Sequence, residues 1–297
     1  MTQMFRFTAA AVGLAAVLGA PDSMTGLAQG QQPPDQPAVT VRGQTYTPRS
    51  ILARNMGTEE DQTTPFTPHK IIGNIYYVGT RTLSSFLITT PDGHILINST
   101  YERNVDGIEK SVAQLGFRFS DIRILLGNHA HRDHQEGDAL VKQRTGAQVV
   151  AMAEDVPALR AMKAGDKEHP IDREVRDGES VTLGGTTLVA RLTAGHTRGC
   201  TAWTTRVQED GRMYDVVFFC SLRGPGTPTP EVTAELNRSF KVVRSLPCDV
   251  PLGDHPGQYN MHAKHARLKE GAPNPFIDAA NCFHEADIQE AMFRASL

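Results

Sequence analysis

From residue 70 onward the chain alternates short apolar runs with turn-forming residues. Ile75-Tyr76-Tyr77-Val78, Ser85-Phe86-Leu87-Ile88-Thr89 and His94-Ile95-Leu96-Ile97 have strand length and strand composition, and Pro91-Asp92-Gly93 supplies a turn between the last two. Residues 104–115 place Val105, Ile108, Val112 and Leu115 on one helical face. A buried strand follows at Ile122-Arg123-Ile124-Leu125-Leu126, then helices at 137–145 and 153–163 flanking a strand at 148–152. Val181-Thr182-Leu183 and the alternating run 186–192 are strands. Residues 200–207 and 213–220 form a hairpin about Glu209-Asp210-Gly211, and a further helix covers 232–245. Strands and helices interleave in both halves, and hairpins occur as well. The pattern is α/β with mixed sheets. No internal repeat is visible.

The densest chemistry follows the strand that ends at Leu126. Asn128-His129-Ala130-His131-Arg132-Asp133-His134 packs three imidazoles and a carboxylate behind a rigid element. Imidazole nitrogen and carboxylate oxygen are favoured zinc ligands. A histidine-rich surface loop is the bland alternative, and the H-x-H-x-D-H spacing is much denser than composition predicts. Two more histidines sit at the ends of strand-like runs: His196 in Ala194-Gly195-His196-Thr197 and His255 in Gly253-Asp254-His255-Pro256. Six ligands exceed one tetrahedral site and suit two metal ions with three protein ligands each, which leaves positions for water and substrate.

Composition narrows the partners. The formal net charge is −3, and the chain has no basic run and no aromatic–basic interleave, which argues against nucleic acid and acidic membranes. Arg6 followed by the small, apolar stretch 9–20 reads as a secretory signal, with cleavage near residue 28, and a buried N-terminal helix is the alternative. Residues 29–60 read as a flexible extension that opens on a Gln- and Pro-rich leader, and 61–297 as the folded domain. No other stretch is long enough to span a bilayer, so the mature protein is expected to be periplasmic or secreted and off the membrane. Four cysteines fit an oxidising compartment. Counting the hairpin register places Cys200 opposite Cys220, so they are either a cross-strand disulfide or two buried thiols. As a third option Cys220 is a metal ligand, although strand alternation next to Ser221 disfavours it.

The cluster of His129, His131, Asp133, His134, His196 and His255 resembles the metallo-β-lactamase superfamily. The strings Gly73-Asn74-Ile75-Tyr76-Tyr77-Val78-Gly79-Thr80, Gly195-His196-Thr197, Leu246-Pro247-Cys248-Asp249 and Asn274-Pro275-Phe276-Ile277-Asp278 resemble its subclass B3 β-lactamases. The resemblance runs from about residue 65 to about residue 278. It implies a four-layer αββα sandwich with the metal centre at one edge. It implies two zinc ions, one on His129, His131 and His196 and the other on Asp133, His134 and His255. The implied reaction is hydrolysis of a β-lactam amide by metal-bound hydroxide, with Asp133 both a ligand and the residue that orients the nucleophile. It also implies a Cys248–Cys282 disulfide, with buried free thiols as the alternative, and a substrate-carboxylate contact near Ser221.

Several positions depart from the family pattern. Arg223 stands where a second serine is common; its guanidinium can grip a carboxylate bidentately, or be an ordinary surface charge. Arg198 replaces a proline, and Gln135-Glu136-Gly137-Asp138 replaces Ala-Gly-Gly. The stretch 221–232 is shorter than usual. Asp254 is either a partner of a metal ligand or a solvated side chain. These changes bear on substrate range. The competing reading is another hydrolase on the same scaffold: a lactonase, a thioester hydrolase or an esterase. Many of those carry a bridging aspartate near the Cys220-Ser221 position, which this chain lacks. A zinc-binding protein without turnover is the third reading, and six ligands with open sites suit it poorly.

Overall fold

The computed structural model describes Met1, residues 37–269 and 273–297, and the described fold belongs to the unit Pro33–Leu297. The expected signal segment lies outside the described residues. In chain order, β1 (Val39–Val41) and β2 (Gln44–Tyr46) form a small hairpin, followed by α1 (Pro48–Met56) and α2 (Glu59–Thr63). Then come β3 (His69–Ile72), β4 (Ile75–Tyr77), β5 (Phe86–Thr90) and β6 (Gly93–Ile97). They are followed by α3 (Val105–Gln114), β7 (Ile122–Leu126), α4 (Arg132–Gln135), α5 (Asp138–Thr145), β8 (Gln148–Met152) and α6 (Val156–Ala161). A two-residue pair, β9 (Lys163–Ala164) and β10 (Lys167–Glu168), precedes β11 (Arg173–Val175). The second half contains β12 (Ser180–Leu183), β13 (Thr186–Leu192), β14 (Thr201–Glu209), β15 (Arg212–Phe219), α7 (Pro230–Ser245), β16 (Val250–Gly253), α8 (Met261–Lys269) and α9 (His284–Ala295).

Two mixed sheets result. The seven-stranded sheet has the order β11-β8-β7-β6-β5-β4-β3, and the five-stranded sheet β12-β13-β14-β15-β16. Their inner faces share one core. Phe86, Ile88, Ile95, Ile97, Ile124 and Leu126 of the first sheet meet Leu188, Trp203, Val216, Phe218 and Leu252 of the second. Strand alternation sends the intervening residues to the outer face: Leu87, Leu96 and Leu125 pack with Val105, Ile108 and Val112 of α3 and Val141 of α5. On the far side of the second sheet, Leu236, Phe240 and Val243 of α7 pack with Ala286 and Phe293 of α9. The layers are helix, sheet, sheet, helix, as expected.

The topology explains why the ligand segments meet. β13 and β15 both run antiparallel to β14, and β16 runs parallel to β15. The residues that follow β13, β15 and β16 therefore leave the second sheet at one edge. They include His196, Ser221 and His255. β7 delivers the 128–134 loop from the first sheet.

Some expectations are corrected. Residues 39–60 are ordered where a flexible extension was expected: β1, β2 and α1 pack Val39, Tyr46 and Ile51 against Ile288 and Met292 of α9. The β14–β15 turn is tighter than the three-residue count. Glu209 pairs with Arg212, and Asp210 and Gly211 alone turn the chain at φ 50° and 77°, the left-handed pair a type I′ turn requires. The register is therefore shifted by one, and Trp203 faces Phe218. Cys200 and Cys220 lie beyond the ends of the ladder rather than opposite each other. Their sulfurs are nevertheless at bonding distance, with Cα atoms 5.8 Å apart. Cys248 and Cys282 form the second such pair, at 6.0 Å. The helix expected over 153–163 is shorter, a 3-10 turn Ala153–Asp155 leading into α6. No helix among the described residues is long and apolar enough to cross a membrane.

Candidate metal centre

The loop after β7 is fastened to both sheets. Asn128 N donates to Asn98 Oδ1 at 3.0 Å, Asn98 Nδ2 returns a bond to Asn128 Oδ1 at 2.9 Å, and Asn128 Nδ2 reaches Thr201 O at 2.9 Å. One residue earlier, Gly127 O accepts from the Trp203 indole at 3.0 Å. Asn98 and Thr100, just past β6, hold φ of 64° and 59°. Residues other than glycine occupy that region at a cost, and here the bend lets Thr100 N donate to His134 O at 2.9 Å. Gly195, before His196, has φ 134°, and a Cβ there would collide with Leu236 of α7.

All six predicted ligands converge. Ligand atoms of His129, His131 and His196 lie within 4.8 Å of one another, and so do those of Asp133, His134 and His255. His129 Nε2 faces His131 Nδ1 at 3.0 Å, and the His129 and His131 rings each stand 4.7 Å from the His196 ring. Asp133 Oδ2 is 3.2 Å from His134 Nε2 and 3.9 Å from His255 Nε2. The His129 and His134 rings, one from each set, are 4.3 Å apart, so the two sets adjoin.

The imidazoles are oriented through their other nitrogens. His196 Nδ1 donates to Arg223 O at 2.8 Å, and His255 Nδ1 to Thr82 O at 3.0 Å. His129 Nδ1 faces Asp254 Oδ2 at 3.4 Å. These contacts fix the tautomers and turn the remaining nitrogens inward. Asp254 is fully buried and also accepts from Ser221 N at 2.8 Å, so it is a partner of a candidate ligand and not a solvated side chain.

The residues fit a metal. Nδ1 of His134 is buried without a hydrogen-bond partner, and its Nε2 faces only the ligand oxygen Asp133 Oδ2, an arrangement that costs free energy unless something else fills it. Burial, then the neighbouring imidazoles, pushes His129 well below the usual histidine range. Burial likewise lowers His131, takes His196 down to about 3 and His255 down to about 4. Burial alone would raise Asp133, but the imidazoles of His134, His255 and His131 hold it below the usual carboxylate range. His134 differs: burial would lower it, but the Asp133 carboxylate raises it, so it is the one imidazole among the six ligands that a cation must strip of its proton. Neutral imidazoles and an ionised carboxylate are the forms that bind divalent zinc.

The substrate-side residues are placed less uniformly. Ser221 is buried, and its Oγ accepts from Arg223 N at 3.3 Å. Arg223 forms no ion pair among the described residues; burial lowers its pKa, and its charge acts on His131 and His196. It also lines a cleft with Pro48, Gly224, Met292 and Phe293. Cys220 Sγ lies 3.5 Å from His129 Nδ1, the nitrogen turned away from the other imidazoles, and is bonded to Cys200. It is thus not available as a ligand. Reading the sequence missed Asn98, Thr82 and Asp155, which hold the ligand loops. Nothing in their local sequence distinguishes them, since each acts through a tertiary contact.

No family model matches the chain. Among solved structures, it is 40% identical to the FEZ-1 metallo-β-lactamase from Legionella gormanii, with a TM-score of 0.75 over 78% of this chain and 95% of that one. It is 37% identical to BJP-1, a subclass B3 metallo-β-lactamase of Bradyrhizobium japonicum, with a TM-score of 0.72 over 79% and 95%. A class B3 di-zinc metallo-β-lactamase, LRA-12, from an Alaskan soil metagenome shares 25% identity at a TM-score of 0.75 over 81% and 97%. Among curated sequences, hydroxyacylglutathione hydrolases match over shorter stretches. That of Methylobacterium sp. (strain 4-46) is 39% identical over 85 residues, 29% of either chain. That of Hyphomonas neptunium is 32% identical over 123 residues, 41% of this chain and 43% of the relative. The chain thus spans less than half the length of these curated relatives.

Proposed function

The chain belongs to the metallo-β-lactamase superfamily of hydrolases, and on that premise we propose that it is a zinc-dependent β-lactamase of the B3 type. The observation that carries the reading is the pairing of two adjoining three-ligand sets with the absence of a carboxylate after β15. That position is Ser221, and its neighbour Cys220 is committed to a disulfide. His129, His131 and His196 would hold one zinc ion, and Asp133, His134 and His255 the other. When bound, the ions would supply an activated water and polarise the scissile carbonyl. The chain's own residues do the rest. Asp133, one oxygen of which faces His134 and His255, can accept a hydrogen bond from the attacking water on the other. Arg223, near the three-histidine set and without an acidic partner, is suited to the carboxylate of a β-lactam, and Ser221 supports that segment through its bond to Arg223 N. Two cysteine pairs at bonding distance favour an oxidising compartment, the periplasm or the exterior.

The sequence similarity to hydroxyacylglutathione hydrolases supports a second reading, thioester hydrolysis at the same centre. The fold and the six ligands present do not by themselves fix the substrate. A panel of a penicillin, a cephalosporin, a carbapenem, a neutral lactone and a glutathione thioester, each with and without chelator, does. The expected result is chelator-sensitive hydrolysis of β-lactams, with Arg223→Ala raising KM for them and leaving metal content unchanged. Efficient cleavage of the thioester or lactone with every β-lactam intact would overturn the β-lactamase reading.

A further inference from the structure

Asp155 is not one of the six candidate ligands, yet it touches both loops that assemble the three-histidine set. It closes the turn Ala153–Asp155 after β8 and is only 2% exposed. Its Oδ2 accepts from Ala130 N and from Thr197 Oγ1, each at 2.8 Å, and its Oδ1 accepts from Gly199 N at 2.7 Å. Ala130 lies between His129 and His131, and Thr197 follows His196. The approach is close: a Cβ on Gly199 would stand 2.5 Å from Asp155 N and 2.6 Å from Asp155 Cβ. Gly199 therefore has no room for a side chain.

The charge is also informative. Asp155 makes no ion pair among the described residues, and burying a carboxylate without a countercharge is costly. Burial raises its pKa, and the bonds from Thr197, Gly199 and Ala130 oppose that rise. The two ligand sets differ in charge. The set containing Asp133 has its own carboxylate, whereas the other consists of three neutral imidazoles. A cation held by those imidazoles would be the positive charge that Asp155 answers, and its influence already reaches His131.

We propose that Asp155 is the positioning residue of the three-histidine set: it clamps the 128–131 loop to the 195–199 loop and adds a second buried carboxylate beside that set, Asp254 facing His129 alone. It acts through the loops and touches neither metal nor substrate. The inference rests on the metal-centre reading above. It goes beyond it by making one buried carboxylate responsible for one of the two sets.

The test uses the full chain and zinc alone, followed by calorimetric titration of the metal-free protein. His255→Ala and His196→Ala backgrounds isolate the three-histidine set and the Asp133 set respectively. An amide at position 155 turns an N–H toward a donor. Asp155→Asn is therefore expected to weaken zinc at the three-histidine set by about 10- to 100-fold, the range for loss of a ligand's supporting partner, while the other set changes less than about twofold. Thr197→Val keeps the carboxylate and both backbone bonds, so it decides the question even if Asp155→Asn does not fold. It should weaken the same set by about fivefold, one neutral hydrogen bond. Equal weakening of both sets, or unchanged affinity in both variants, overturns the proposal. A wild-type chain that binds no zinc would instead overturn the metal-centre reading on which it rests.

Discussion

Trp203→Phe tests how firmly the ligand loop is tied to the core. Trp203 is the only tryptophan in the chain and is completely buried in β14. Its indole nitrogen donates to Gly127 O at 3.0 Å, two residues before His129. Replacing indole with phenyl removes about three buried heavy atoms, which at roughly 0.8 kcal/mol per methylene-sized group is about 2.5 kcal/mol. It also strands a buried carbonyl at a further cost of roughly 1–3 kcal/mol. The expected total, about 4–5 kcal/mol, is a large part of the roughly 5–15 kcal/mol that stabilises a domain. Phe218→Leu is the control. Phe218 faces Trp203 across the β14–β15 ladder, is equally buried, and loses a similar number of atoms without stranding a polar group. It also gives up an edge-on ring contact with Phe86 at 5.0 Å, worth roughly 0.5–1.5 kcal/mol, which makes the comparison conservative. Urea unfolding of metal-free, disulfide-intact protein, followed by far-ultraviolet circular dichroism, gives both values. If Trp203→Phe costs no more than about 2.5 kcal/mol and falls below Phe218→Leu by the roughly 0.5–1.5 kcal/mol of the ring contact, the hydrogen bond to Gly127 contributes nothing and the reasoning fails.

The remaining predictions concern metal, thiols and pH. Elemental analysis should find about two zinc ions per chain, with His196→Ala and His255→Ala each removing one; trace zinc after reconstitution would exclude a dinuclear centre. Peptide mapping of oxidised protein should find Cys248 linked to Cys282 and Cys200 to Cys220. Breaking the first, at a sequence separation of 34, should cost about 4 kcal/mol by loop entropy, and free thiols in the map would contradict the pairing. The metal-free protein should lose stability as pH falls from about 6.5 toward 4. His196 and His255 titrate in the folded chain at about 3 and about 4, so below the ordinary histidine value the unfolded chain binds more protons. The lowered Asp133 adds to the loss only below about 4, while Asp254, pushed up to about 7 chiefly by burial, and His134, raised by the Asp133 carboxylate against its burial, oppose it. A denaturation midpoint that stays flat across that window would refute the reading.

What was legible in the sequence was mostly local. The six ligands could be read because four lie in one segment and the other two follow strand-like runs beside glycines. The inner strands β5, β6 and β7 were legible because both faces are buried and their apolar runs are continuous. β3, β11 and the β9–β10 pair were not, being short or lacking alternation. The β1–β2 hairpin and α1 were hidden for a different reason: their partner is α9, more than two hundred residues away. The same holds for the contacts that position the ligands. Asn98, Thr82 and Asp155 are ordinary in sequence and act only once the two sheets have come together. The misjudged hairpin register shows how narrow the margin is, since a turn counted one residue too long sets Cys200 opposite Cys220.

The packing of the two ends has a consequence for how the chain matures as it is synthesised. Arg42 contacts Asp287, Arg54 contacts Glu285, and the backbone of Arg54 closes over Gly257, just past His255. The segment holding Arg42 and Arg54 must therefore wait, during synthesis, for Gly257 and α9 before it can pack. Every member of the three-histidine set has left the ribosome long before His255 does. Asp254, which orients His129, arrives with His255, so neither set is complete until β16 has been made, and the strap around Arg54 settles beside His255 only after α9 has followed.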